Sequence, residues 1–163
     1  MLWAMDEISN PAGFTAIVFR LVLATGVGAA LGINREFRQK PAGLRTHALV
    51  SLGAALLAMI GLRMSLSIAS GELNALSRVV QGITVGVGFI GGGAILRRER
   101  AHTVEGLSTA ASIWVVSAAG TAAGAGMWRS ALVTVGLALL LLIGGKPVDR
   151  AIRDRRAGDK PSD

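Results

Sequence analysis

Residues 14–33 read FTAIVFRLVLATGVGAALGI, a run of 20 residues whose single charged member is Arg20. A run of this length and apolar character matches what a helix needs to cross the hydrocarbon core of a bilayer. Further apolar runs cover residues 44–62, 79–96, 107–126 and 128–145. The sequence therefore predicts an all-α fold, a polytopic membrane bundle of about five transmembrane helices.

The composition indicates lipid rather than water as the main solvent. Hydrophobic residues make up 52% of the 163 residues and charged residues 17%, against roughly 25% charged in a soluble domain. Mean hydropathy is +0.55, which excludes a disordered chain. The absence of cysteine excludes disulfides, zinc–thiolate sites and iron–sulfur clusters.

The distribution of Lys and Arg predicts the orientation in the membrane. The chain carries a net charge of +7, and thirteen of its 17 basic residues fall after the first run, after the third run and in the tail. Because basic loops stay in the cytoplasm, we expect residues 1–13 to be extracytoplasmic, residues 14–145 to lie in the membrane and residues 146–163 to form a short basic cytoplasmic tail. We expect the first span to be retained and not cleaved as a signal peptide. The tail is expected to be frayed and solvated, with a helical extension over 147–156 that contacts lipid as the alternative. The expected partner of these charges is a bilayer with anionic headgroups, and no nucleic acid.

Glycines recur at a spacing of four in three of the runs. The pairs are Gly28/Gly32, Gly82/Gly86, Gly88/Gly92 and Gly120/Gly124, and such pairs let another helix backbone approach closely. We therefore predict that the first, third and fourth helices form the core and that the fifth faces lipid. The triplet Gly91, Gly92 and Gly93 is open to two interpretations, an interrupted helix lining a binding site or plain close packing.

Polar residues concentrate in two segments that border the apolar runs, one over residues 34–47 and the other over residues 97–112. In the first, Asn34, Arg35, Glu36, Arg38, Arg45, Thr46 and His47 surround a loop. Glu36 either pairs with a neighbouring arginine or, with Asn34, Arg45, Thr46 and His47, folds back onto the third and fourth helices. Carboxylate and amide oxygens suit Mg²⁺, which makes Glu36 the candidate metal ligand, whereas the arginines suit an anion.

Three polar residues within the apolar runs also need an explanation. Thr109 and Ser112 share one helix face, and each either bonds its own backbone or joins the polar loops. Arg20 either reaches the outer headgroups or is a buried cation with a partner. The chain has no HExxH, GxSxG or Walker pattern, so we expect no catalytic residues and no enzymatic activity.

Three motifs together resemble the MgtC/SapB family of bacterial inner-membrane proteins. They lie at residues 20–53, at residues 86–96 (GVGFIGGGAIL) and at residues 106–114 (GLSTAASIW), and the resemblance extends over about residues 17–145. It implies a multi-pass protein of the bacterial inner (plasma) membrane, in a short form without the C-terminal soluble domain of the virulence-associated members. The signature positions that it carries over are Arg35, Glu36, Arg38, Gly43, Arg45, Thr46, His47, Gly88, Gly91, Thr109 and Ser112.

The resemblance implies a role in magnesium or ion homeostasis, either transport-associated or regulatory. Transport predicts a polar cavity around Glu36, Arg45, Thr109 and a break at Gly91–Gly93, with Mg²⁺ as the candidate ligand and no other cofactor. The alternative is a regulator that binds a membrane-protein partner, as in restraint of the proton-translocating ATP synthase, without transport. It predicts a closed bundle with glycine ladders partly exposed for docking. A third hypothesis is a homodimer formed through one ladder.

Overall fold

Each of the five apolar runs forms a helix. The computed structural model describes residues 11–67, 74–98 and 103–158. The helices are α1 (Pro11–Phe37), α2 (Leu44–Ser67), α3 (Asn74–Gly93), α4 (Leu107–Gly124) and α5 (Trp128–Gly158). Two three-residue strands, β1 (Leu96–Arg98) and β2 (Thr103–Glu105), pair antiparallel between α3 and α4, with Leu96 opposite Glu105. The sequence did not predict this small hairpin.

Four of the helices are long and apolar enough to cross a membrane, over Gly13–Phe37, Leu44–Ser65, Ala75–Gly93 and Leu107–Gly124. The apolar part of α5, Trp128–Gly144, is shorter. The predicted all-α, multi-pass membrane fold is confirmed, whereas the orientation stays a prediction. The helix of α5 continues to Gly158 and so includes the helical extension over 147–156, whereas contact of the tail with lipid stays a prediction. Residues 1–10 and 159–163 lie outside the described parts of the chain.

The glycines of α1 and α4 pack against α2. A Cβ atom added to Gly28 would lie 2.6 Å from the His47 carbonyl oxygen, and one added to Gly32 would lie 2.6 Å from the Leu44 Cα. Cβ atoms at Gly120 and Gly124 would collide with the carbonyl oxygens of Ser51 and Ala55. The second helix is therefore the one on which both ladders converge, although the sequence had not singled it out.

The prediction that α3 is a core helix is wrong. Cβ atoms added to Gly82, Gly86, Gly88 or Gly92 would meet nothing within 4 Å. Only 17% of the apolar window of α3 is buried, against 50% in α4. The rotation of α3 about its axis explains the exposure of these glycines. Ile83 and Val87 lie on the inward face of the helix, so the glycines lie on its outer faces.

The interrupted-helix interpretation of the glycine triplet is also wrong. The α3 helix runs without a break through Gly91 and Gly92 and ends at Gly93. Gly91 contacts α4, where its Cβ would lie 3.6 Å from Ala110 Cβ. Glycines at the end of a helix leave it free to turn into the β1–β2 hairpin.

A tight turn joins α4 to α5. Gly126 has φ +85°, a left-handed conformation that glycine adopts without steric cost. The Met127 amide donates to the Ala122 carbonyl (2.8 Å) and the Gly126 amide to the Ala123 carbonyl (3.0 Å). This pairing satisfies carbonyls that the end of the helix leaves open.

Candidate functional site

Polar side chains of three helices meet where α1 ends and where α2 and α4 begin. Helix α1 contributes Arg35, α2 contributes His47, and α4 contributes Thr109 and Ser112; all four side chains are buried. Close packing of α1 and α4 on α2 brings together residues that are more than 60 positions apart. Four predicted site residues thus form one cluster, which we call the polar cluster.

Arg35 is the charged member of the polar cluster and is 2% exposed. Its Nη2 donates to the Thr109 hydroxyl and, at 3.3 Å, to the Ser108 hydroxyl. Its Nε is buried and has no hydrogen-bond acceptor in the described residues. A guanidinium keeps its charge in proteins, so this end of the bundle holds a buried cation whose known partners are neutral.

His47 connects α2 to α4 and is fully buried. Its Nδ1 lies 2.9 Å from the Gly43 carbonyl oxygen, its Nε2 lies 3.0 Å from Ser112 Oγ, and Ser112 Oγ lies 2.8 Å from the Thr109 carbonyl oxygen. Since a carbonyl only accepts, Nδ1 carries a proton. When the ring is neutral, the Ser112 hydroxyl can donate its one proton either to Nε2 or to the Thr109 carbonyl oxygen, but not to both. All three hydrogen bonds at once require a doubly protonated ring.

Glu36 points away from the polar cluster. Its Oε2 accepts the backbone N–H of Leu44 (3.0 Å) on an exposed surface, and so caps the start of α2. A Cβ atom at Gly43 would collide with this carboxylate, so a side chain at that position would require Glu36 to move aside. The described residues contain no group of three or more His, Cys, Asp or Glu side chains placed to hold a metal. The assignment of Glu36 as a Mg²⁺ ligand stays a prediction.

Other predicted site residues lie around the polar cluster without joining it. Arg45 is exposed, and Thr46, Arg38 and Asn34 are half-buried. Asn34 Oδ1 is buried and has no partner in the described part of the chain. The expected fold-back of the loop therefore holds for His47, while Glu36 and Arg45 remain on the surface. The polar cavity around Glu36, Arg45, Thr109 and a broken α3 is not assembled in the described residues.

Two residues of this region were missed by the sequence analysis. Ser108 contacts Arg35, and its position next to Thr109 was the available signal. Ser51 is fully buried, and its hydroxyl has no hydrogen-bond partner among the residues that the structure describes. Its spacing of four from His47 places both on one face of α2.

Arg20 lies at the opposite end of α4. Its Nη1 donates to the Gly124 carbonyl oxygen (3.0 Å), and the side chain is half-buried. A cation is favourable there because the C-terminus of a helix carries partial negative charge. Of the two interpretations of Arg20, the structure has the one in which the cation has a partner.

The fold and the polar cluster define a multi-pass helical membrane protein whose helices are joined by buried polar contacts at one end. Comparison with known proteins adds the family. The sequence profile of the MgtC family matches residues 21–151, which include every member of the polar cluster. The chain belongs to the MgtC family.

Several curated relatives match this chain. It is 41% identical to protein SrpB of Synechococcus elongatus over 90% of this chain and 84% of SrpB. It is 40% identical to Escherichia coli YhiD, described as "Putative magnesium transporter YhiD", over 77% of this chain and 58% of YhiD. It is 36% identical to MgtC of Salmonella typhimurium over 71% of this chain and 46% of MgtC. The chain thus spans about half the length of YhiD and MgtC. No solved structure matches it.

Proposed function

We propose that this protein acts in magnesium homeostasis as a regulator that binds another membrane protein, and does not itself conduct Mg²⁺. The link to magnesium is supported by family membership and by the description of YhiD quoted above. Regulation by docking is supported by one observation in particular, the outer surface of α3, whose glycines contact no other described part of the chain. The occupant that we propose is a transmembrane helix of a different protein.

The docking face consists of Gln81, Gly88 and Gly92. Gly88 and Gly92 follow Gln81 by seven and eleven positions, and residues at these spacings lie on the same side of a helix. All three residues are exposed. Cβ atoms at Gly88 and Gly92 would meet nothing, so a second helix can approach the backbone closely there. In lipid, close packing at small residues and hydrogen bonds from residues such as glutamine drive helix association.

Transport requires a path that a divalent cation can follow. The carboxylate and arginine expected to line that path, Glu36 and Arg45, are exposed at the surface. The charged group at the junction of α1 and α4 is Arg35, whose guanidinium repels Mg²⁺ in a medium of low dielectric constant. These observations favour the regulatory hypothesis over the transport hypothesis.

The test compares Gly88→Leu with Gly136→Leu in a strain that lacks the gene. Both glycines are exposed and have open space around Cβ, so both variants should fold and reach equal levels in the membrane. We expect Gly88→Leu to abolish growth in low magnesium and Gly136→Leu to preserve it. Full growth of the Gly88→Leu strain at normal protein levels would refute docking through this face.

Two further measurements separate the hypotheses. Purified protein in liposomes with an internal Mg²⁺ dye should show no flux, and Mg²⁺ entry would establish transport instead. Since the chain has no cysteine, Gly88→Cys provides a single site for a photo-crosslinker in native membranes, with Gly136→Cys as control. We expect an adduct between this chain and a different membrane protein, in an amount that depends on the growth conditions. An adduct of twice the mass of the chain would indicate the homodimer instead.

A further inference from the structure

Arg35 stands out because its surroundings in the described residues do not balance its charge. Its side chain is more than nine-tenths buried, and it donates hydrogen bonds to the hydroxyls of Ser108 and Thr109. The Nε–H points to no acceptor within residues 11–67, 74–98 and 103–158. A buried, unsatisfied donor on a charged group is costly, so this edge of the guanidinium calls for an acceptor.

The position of Arg35 increases the imbalance. Ser108 and Thr109 belong to the first turn of α4, which has no acidic residue and no side-chain cap at Gly106. The N-terminus of a helix carries partial positive charge, which favours anions and disfavours cations. Arg38, the residue that follows the end of α1, adds a second guanidinium near Arg35. Positive potential from three sources therefore converges on the junction of α1 and α4.

We propose that the junction of α1 and α4 binds a phosphate oxyanion on the Nε edge of Arg35. The Nε–H is open to one phosphate oxygen. A second oxygen would take the place of the Ser108 or Thr109 hydroxyl on the neighbouring Nη2, because the Nε–H and Nη2–H donate in parallel at a spacing that fits two oxygens of a phosphate. The helix N-terminus supplies a favourable field. The phosphate comes either from the headgroup of an anionic phospholipid or from free phosphate, and the proposal is independent of docking at α3.

The experiment uses the full chain in dodecyl maltoside, a detergent without phosphate, and follows its thermal unfolding. We expect phosphate at ten times its half-saturating concentration to raise Tm by about 3–6 °C. Sodium chloride at equal ionic strength should give no such shift. Phosphatidylglycerol is the second ligand, with the matching diacylglycerol as its phosphate-free control.

The two arms identify the source of the phosphate. A saturable shift with phosphatidylglycerol that removes the response to free phosphate assigns the site to a lipid headgroup. A response to free phosphate that persists in the presence of the lipid assigns it to the free ion. Absence of a shift with both ligands overturns the proposal.

Variants locate the site. Arg35→Lys keeps a positive charge but loses the Nε edge, and should lose the phosphate shift, whereas Arg45→Gln, which removes an exposed arginine, should retain it. Should Arg35→Lys fail to fold, Thr109→Val tests the same point. It removes a hydroxyl partner of the guanidinium and should therefore lower the basal Tm and enlarge the phosphate shift. A phosphate shift in Thr109→Val equal to that of the wild type would place the anion elsewhere and refute the assignment to Arg35.

Discussion

Neighbouring residues at the end of α1 have opposite environments. Arg35 is buried against α4, while Glu36 is exposed and accepts the Leu44 amide. Successive side chains on a helix diverge by about 100°, so two adjacent charged residues serve two different elements. Glu36 is tied to the start of α2, and Arg35 to the start of α4.

The capping role of Glu36 makes a residue-level prediction. Glu36→Ala should lower the free energy of unfolding by about 1 kcal/mol, the usual value for loss of a helix cap. Glu36→Gln should cost less, because its amide oxygen still accepts the Leu44 N–H. Thermal unfolding in detergent, with and without Mg²⁺, measures both. A Mg²⁺-dependent stabilisation that disappears in Glu36→Gln would show instead that the carboxylate is a metal ligand.

The polar cluster was partly predictable from sequence. Arg35, His47, Thr109 and Ser112 could be identified because polar groups at the edges of apolar runs must find partners when buried. The direction of Glu36 could not, because it depends on where α1 ends and α2 begins. Ser51 was missed because a serine in a helix ordinarily bonds its own backbone, and the close approach of α4 at Gly120 is visible only in the fold.

At the level of whole helices, glycines with the same spacing have different roles. Those of α1 and α4 admit the backbone of α2, while those of α3 meet open space. Spacing in the sequence determines which residues share a face but not what that face contacts. The glycine ladders could therefore be found from sequence, whereas the central position of α2 and the outer position of α3 could not.

Gly120→Ala and Gly136→Ala provide a matched test of helix packing. The new Cβ at position 120 would collide with the Ser51 backbone, which cannot move aside like a flexible side chain, whereas position 136 is open. We expect Gly120→Ala to destabilise the protein by about 1–3 kcal/mol. Gly136→Ala should stabilise it by about 0.5–1 kcal/mol through helix propensity. Unfolding midpoints in detergent measure both, and equal midpoints would contradict the close contact between α2 and α4.

At the level of the whole molecule, the number and order of the helices followed from sequence because apolar length is a direct requirement of the bilayer. The orientation depends on the loop charges. We expect alkaline phosphatase fused after Asp163 to be inactive and a fluorescent protein at the same position to fluoresce, because this is how the two reporters behave in the cytoplasm. An active phosphatase fusion would reverse the assignment and place the polar cluster on the outer side.

The two arginines of α1 tie it to both ends of α4. Arg20 bonds Gly124 and Arg35 bonds Thr109. In each helix the two anchor points are 15 positions apart, which is about 22 Å along the helix axis. Helix α1 consequently cannot slide along α4 without breaking both ties. The length of helix between the two anchor points is shorter than the roughly 30 Å hydrocarbon layer of a typical bilayer. A thicker hydrocarbon layer would place both guanidiniums deeper within it, and a thinner one would bring them closer to the headgroups.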